Sequence, residues 1–300
     1  MALGGFSRAA KLGAGVVGFV VSLAGILLLA AHATAVVRSA GPLKYVTETA
    51  TSASASVSLE ALCPGNARVT GGGGGIAPGP QFQVLLSSIY PTNNDGDLIS
   101  DDGYEAQARN ETGNSRKRTA TAICLRRGQS NLAYKFSSQS FGTGALGVGG
   151  SVLCDSPNRV VGGGTFLQPP TTEVQLNDSH PVDPGDHVYD AGWGYTANKE
   201  MTAAQRVFAV HAICLPPGVR KLRYVYESRV VLGNERSTLK ARCPRKYHVT
   251  GGGVEGFANY LASVPFDGKD AGKAPDDGWK GTMQNFNSPE ALLVHAICIK

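Results

Sequence analysis

Apolar and polar residues alternate along most of this chain. In Phe208-Ala209-Val210-His211-Ala212-Ile213-Cys214, Val210, Ala212 and Cys214 share one face, and His211 and Ile213 share the other. Near the end, Val294, Ala296 and Cys298 stand against His295 and Ile297 in the same way. A period of two is the signature of a strand, and apolar groups on both faces mark a strand that is covered on both sides. Aromatic strands are predicted around Tyr45, Tyr134-Lys135-Phe136 and Tyr224-Val225-Tyr226. Past residue 35 no segment keeps a 3.6-residue period over three turns, so the fold class is all-β. The one long apolar run, Leu12 to Ala31, follows Arg8 and Lys11, and no acidic residue precedes Glu48. Residues 1–35 therefore read as a signal peptide, with small-x-small cleavage sites at Ala31-His32-Ala33 and Ala33-Thr34-Ala35. The run is also long enough for an uncleaved membrane anchor. Either way the rest is expected to be secreted or to stand on the extracellular face of the membrane. Residues 36–58 read as a spacer and first strand, because 47–58 are small and polar.

The alternating segments recur. Cysteines lie at 63, 124, 154, 214, 243 and 298. After the first of each pair come Arg68-Val69-Thr70-Gly71-Gly72-Gly73, Arg159-Val160-Val161-Gly162-Gly163-Gly164 and His248-Val249-Thr250-Gly251-Gly252-Gly253. A turn with an aromatic follows: Asp101-Asp102-Gly103-Tyr104, Asp190-Ala191-Gly192-Trp193 and Asp276-Asp277-Gly278-Trp279. Each copy closes on Ala-Ile-Cys, ending at Cys124, Cys214 and Cys298. The chain thus holds three internal repeats, 44–128, 132–218 and 222–300. Each is expected to be a small antiparallel β unit of five or six strands. The copies either pack with pseudo-three-fold symmetry, like a β-prism, or stand in a row as sandwiches. The short linkers favour packing.

Composition sharpens this picture. Glycine numbers 39 of 300 residues, charged residues only 17%; a turn-rich exported protein fits both. The net charge of +5 is too mild to indicate nucleic acid. Six cysteines pair most economically as one disulfide per copy, 63–124, 154–214 and 243–298. Structural zinc would want closely spaced cysteines, and none are close. The triple glycine lacks the following helix and lysine of a phosphate loop. It suits a bulge or a close backbone approach.

The Asp-Gly-aromatic turn is the main candidate for chemistry. Tyr104, Trp193 and Trp279, with Asp102, Asp190 and Asp277 beside them, are either the core anchors of each copy or platforms on which a sugar ring stacks. His211 and His295 occupy equivalent strand positions, with Thr121 in the first copy. They are either polar strand residues or, if the copies surround an axis, a weak metal set. Asn93-Asn94-Asp95-Gly96-Asp97 resembles part of a calcium loop but lacks its glutamate, and reads as a solvated turn. Basic groups at Arg116-Lys117-Arg118, Arg126-Arg127 and Arg220 to Arg223 read as a solvated rim. No catalytic residue, metal ligand or cofactor site is assigned. The leading expectation is a non-catalytic surface or secreted binding or structural protein. Its partner is a cell-wall or extracellular polysaccharide, with no nucleic acid and no membrane contact beyond the N-terminal segment. The alternatives are a glycan hydrolase with a site in one repeat or at a repeat interface, and a purely structural envelope component.

The pattern Cys-Pro-x4-Val-Thr-Gly-Gly-Gly, then Ser-x-Pro, Gly-Trp and Ala-Ile-Cys resembles a repeat module of exported bacterial proteins. The first copy departs most, with Tyr104 for the tryptophan, and the second has Asp155-Ser156-Pro157 after its cysteine. That family offers no catalytic residues to carry over. At the level of fold alone the chain is similar to the vitelline membrane outer layer protein family, which implies a disulfide-bonded three-fold β-prism.

Overall fold

In the computed structural model the described residues are 33–79, 83–126, 128, 131–142, 147–168, 174–183, 185, 188–199, 205–256, 259–268, 272–285 and 288–300. Most of the expected leader, with Arg127 of the basic clusters, lies outside them. No helix among the described residues is long and apolar enough to cross a membrane. The described chain is all-β.

A first strand, β1 (Thr34–Ala40), precedes six strands in each copy. The first copy holds β2 (Leu43–Ser52), β3 (Ser56–Leu62), β4 (Ala67–Ile76), β5 (Val84–Thr92), β6 (Gly103–Asn110) and β7 (Arg116–Arg126). The second holds β8 (Ala133–Phe141), β9 (Gly147–Leu153), β10 (Arg159–Gln168), β11 (Val174–Val182), β12 (Gly192–Lys199) and β13 (Arg206–Leu215). The third holds β14 (Leu222–Val231), β15 (Arg236–Arg242), β16 (His248–Glu255), β17 (Asn259–Phe266), β18 (Gly278–Gln284) and β19 (Glu290–Ile299). Of residues 47–58, the later part expected as a strand lies in β3, and the first part expected as a spacer lies in β2. The alternating threonines of β2 pair along β7, with Thr47 opposite Thr121 and Thr49 opposite Thr119. Small polar composition there reflects a strand surface, not a tether.

Three antiparallel sheets form, and none belongs to one copy. Their orders are β1-β2-β7-β4-β17-β18-β15, β3-β6-β5-β10-β13-β8 and β14-β19-β16-β11-β12-β9. Each copy gives half its strands to one sheet and half to another, and the sharing runs cyclically through all three. The seams are short: Gly75 with Ala262 and Gly74 with Ser263, Thr165 with Ile89, Ser179 with Val254. The alternative of sandwiches in a row is therefore not the one adopted. Disulfides Cys63–Cys124, Cys154–Cys214 and Cys243–Cys298 tie the two halves of each copy across two sheets. Closing loops of 61, 60 and 55 residues is worth about 4 kcal/mol each in the chain-entropy account.

The triple glycine explains how three sheets meet. A bulge precedes it in every copy, where the ladder skips Thr70, Val161 and Thr250. The first glycines then close on one another: a Cβ on Gly71 would lie 2.4 Å from the Thr250 carbonyl, on Gly162 2.1 Å from that of Thr70, and on Gly251 2.3 Å from that of Val161. The second glycine carries an aromatic ring. Trp193 lies on Gly163 and Trp279 on Gly252, each so close that a Cβ would fall within 2.5 Å of the indole. The third glycine, Gly73, Gly164 or Gly253, faces a backbone carbonyl across the seam. Any larger residue would hold the three sheets apart.

Candidate functional site

The Asp-Gly-aromatic turns do not form a sugar platform. Tyr104, Trp193 and Trp279 are all 0% exposed, so no ring face is available to a ligand. Each ring ends in a buried hydrogen bond: the Trp193 indole N–H donates to Ser179 Oγ at 2.8 Å, that of Trp279 to Ser263 Oγ at 3.0 Å, and the Tyr104 hydroxyl to the Gly163 carbonyl at 2.5 Å. In the first copy Ile89 replaces the serine and the phenol finds a carbonyl instead. The neighbouring aspartates are structural as well. Asp102 Oδ2 accepts from the Asn94 and Asp95 amides, and Asp277 from the Gly268 amide. Asp190 corresponds to Asp101 and Asp276, not to Asp102 and Asp277. The pairs Arg68–Asp101, Arg159–Asp190 and His248–Asp276 are one contact written three times.

His211, His295 and Thr121 do not converge on an axis either, because the glycines meet there. Each stands on its own sheet, opposite the third glycine of its copy: His211 pairs with Gly164, His295 with Gly253 and Thr121 with Gly73. The missing glycine side chain leaves room for a second ring from across the seam. Tyr90 stacks with His211 at 6.4 Å between ring centroids, and His180 with His295 at 5.6 Å. The repeat thus presents the same position three times with three chemistries. Val264, Gly75 and Thr121 are small; Tyr90, Phe166 and His211 are aromatic; His180, Glu255 and His295 are polar, of types able to ligate a metal.

The aromatic version lines a cleft of about 520 Å³ between the first and second copies. Phe136, 61% exposed, forms one wall beside the His211 ring at 5.1 Å. Tyr90 packs on Phe166 at 4.5 Å. Glu60 and Glu105, direct partners across β3 and β6, line the cleft with Asn93, Asn94 and Ser138. Asn94 Nδ2 donates to Glu60 at 2.8 Å and Gln107 Nε2 to Glu105 at 2.9 Å. Burial, then the Glu105 charge, raises the Tyr90 hydroxyl far above its usual range. Burial lowers His211 from 6.5 to about 4, so its ring is neutral. The Asn93–Asp97 segment, which bonds its own backbone through Asn93 and Asp95, supplies the rim. Residue patterns alone missed this cleft, because Glu60, Tyr90 and Phe136 come from different copies or from positions that vary between copies.

The ligating version lies between the second and third copies. His295 Nε2 is 3.1 Å from Glu255 Oε2, and His180 Nδ1 is 3.7 Å from the same oxygen. Burial lowers His295, with the Glu255 hydrogen bond opposing; that hydrogen bond is the main influence holding the Glu255 carboxyl down. Tyr189 packs on His295 at 4.6 Å, and Tyr226 stands 6.2 Å away. Both tyrosines and His295 line a cleft of about 330 Å³. Comparison of the chain with known protein families and with curated proteins finds no match.

Proposed function

We propose that the protein is an exported, non-catalytic binding protein of the cell surface or the secreted space, and that it holds a polysaccharide in the cleft between its first and second copies. The exposed ring of Phe136, set beside carboxylates and amides, carries this reading. Sugar C–H groups favour the electron-rich face of an aromatic ring, and hydroxyls need fixed polar partners. Phe136 and Tyr90 supply the first; Glu60, Glu105, Asn93 and Asn94 supply the second. A volume of about 520 Å³ suits a small-molecule or oligosaccharide site. Three disulfides fit an oxidising compartment.

One observation favours a glycan hydrolase as second reading: Glu60 and Glu105 are cross-strand partners in the same cleft, and retaining glycosidases use two carboxylates about 5 Å apart. Each of these carboxylates already accepts a hydrogen bond from a side-chain amide, a role equally suited to gripping a hydroxyl.

Titration of soluble cell-wall polysaccharides into the protein, followed by calorimetry, separates these readings. Saturable binding that falls at least about tenfold in Phe136→Ala, one stacking contact's worth, and persists in Glu60→Gln without release of reducing ends supports the binding protein. Reducing ends that appear with the protein and vanish in Glu60→Gln or Glu105→Gln establish the hydrolase. Binding unchanged in Phe136→Ala rejects the cleft.

A further inference from the structure

We propose that His180, Glu255 and His295 form a binding site for a divalent transition metal of the zinc class, separate from the polysaccharide cleft. The three come from β11, β16 and β19, adjacent strands of one sheet. Their ligand atoms all lie within 4.8 Å of one another, the one such group of histidine, cysteine or acidic side chains among the described residues. Donors about 2.0–2.2 Å from a tetrahedral zinc ion stand roughly 3.3–3.6 Å apart. The observed spacings to Glu255 Oε2, 3.1 and 3.7 Å, bracket that range. Two imidazoles and a carboxylate, with a further position open, are a set that zinc and its neighbours accept.

The fold accounts for the geometry but not for the chemistry. Gly253 pairs with His295 and has the His180 backbone against its other side, so two imidazoles meet over a residue without a side chain. The same meeting occurs at Tyr90 and His211, and the equivalent positions of the remaining junction are Val264 and Thr121; no ligand set results at either. Packing at this position is satisfied by Val and Thr or by Tyr and His. The His-Glu-His set is thus a departure from the repeat that the architecture does not require.

Access and support are both present. His295 is 2% exposed, His180 16% and Glu255 33%, so the site has a buried floor and an open mouth. His180 Nδ1 lies 2.9 Å from the Pro181 carbonyl, which holds a proton on that nitrogen when no metal is bound. Ligation through Nδ1 moves that proton to Nε2, which faces Asp178 Oδ1 at 3.8 Å. Asp178 is buried and fixed by the Thr196 amide and hydroxyl. A carboxylate behind a ligating imidazole is the usual means of orienting the ring.

The test uses untagged protein dialysed against chelator and titrated with zinc by calorimetry, then with cobalt by visible absorption. The expected result is one zinc per chain and the d–d bands of a four- or five-coordinate cobalt. His180→Val, which installs the residue of the third copy's equivalent position, weakens zinc at least about 100-fold, on the scale of losing a ligand rather than its support. Glu255→Gln keeps an acceptor for His295 yet weakens zinc similarly, while His211→Thr leaves it unchanged. Retained far-ultraviolet circular dichroism in both variants guards against simple unfolding. No saturable zinc binding by the parent protein overturns the proposal, as does binding equally tight in folded His180→Val.

Discussion

The Tyr45 hydroxyl donates a 2.7 Å hydrogen bond to the carbonyl of Val249, a residue 204 positions further along the chain. Tyr134 donates to Val69 and Tyr224 to Val160, each at 2.8 Å. The first copy thus bonds to the third, the third to the second and the second to the first. Each tyrosine opens its copy, and each acceptor is the last residue before a bulge. A ring of three hydrogen bonds therefore closes the molecule at the ends of the three sheets.

Tyr45→Phe leaves the buried Val249 carbonyl without that partner. A loss of about 1–3 kcal/mol is expected, read as a lower urea midpoint at unchanged slope. Because the ring is cyclic, Tyr134→Phe should cost a similar amount. A loss confined to Tyr45 alone would mean that the three contacts are not equivalent.

The close approach of the first glycines predicts a sharp contrast between two alanine substitutions. Gly162→Ala places a methyl group 2.1 Å from the Thr70 carbonyl oxygen, and backbone must move at the centre of all three sheets. Overpacking of this kind costs about 1–3 kcal/mol or more. A Cβ added at Gly142 would meet nothing within 4 Å, and alanine there should change stability by about 0.5 kcal/mol or less. Thermal denaturation of the two variants side by side reads the difference.

His211 supplies a pH dependence with a definite sign. Its ring titrates near 6.5 when unfolded and about 4 when folded, because burial disfavours the charged form. The folded state is then at no disadvantage above pH 6.5 and loses stability as the pH falls from about 6.5 to about 4. The slope is about 1.4 kcal/mol per pH unit, reaching roughly 3 kcal/mol in all. Tyr90, Phe136 and Glu105 surround the cleft it lines. His211→Thr, the residue found at the same position of the first copy, should flatten the unfolding free energy over that interval by this amount. An identical pH profile would show that the ring is not held neutral.

Much of this architecture was legible from spacing alone. Cysteines at matched distances from the triple glycine predicted the bridges, because one bridge within each copy is the most economical pairing the repeat allows. Alternation in β13 and β19 predicted strands covered on both faces. What alternation cannot carry is the identity of the neighbour across a seam: it tells which face of β5 is apolar, not that β10 of another copy lies beside it. The role of Trp193 stayed open for a related reason. An aromatic after an Asp-Gly turn looks the same whether its ring points at solvent or onto Gly163. His180, Glu255 and His295 were harder still, since they lie 75 and 40 residues apart and occupy positions that vary between copies. The readable signal was there in those variable positions. Aligned on the triple glycine and on Ser-x-Pro, they show one copy junction collecting two histidines and a glutamate where the others carry aromatics or small residues.

The central claim is that three copies close one structure in which every sheet is shared by two of them, so that none folds by itself. The chain's two tryptophans allow a direct measurement, since Trp193 reports the second copy and Trp279 the third. Trp193→Phe and Trp279→Phe each leave one reporter. In guanidinium titration of each protein, with disulfides intact, tryptophan fluorescence and circular dichroism should trace a single coincident transition. Fluorescence of one tryptophan that changes at a different midpoint from the circular dichroism of the same protein would contradict it, because a copy would then be unfolding alone.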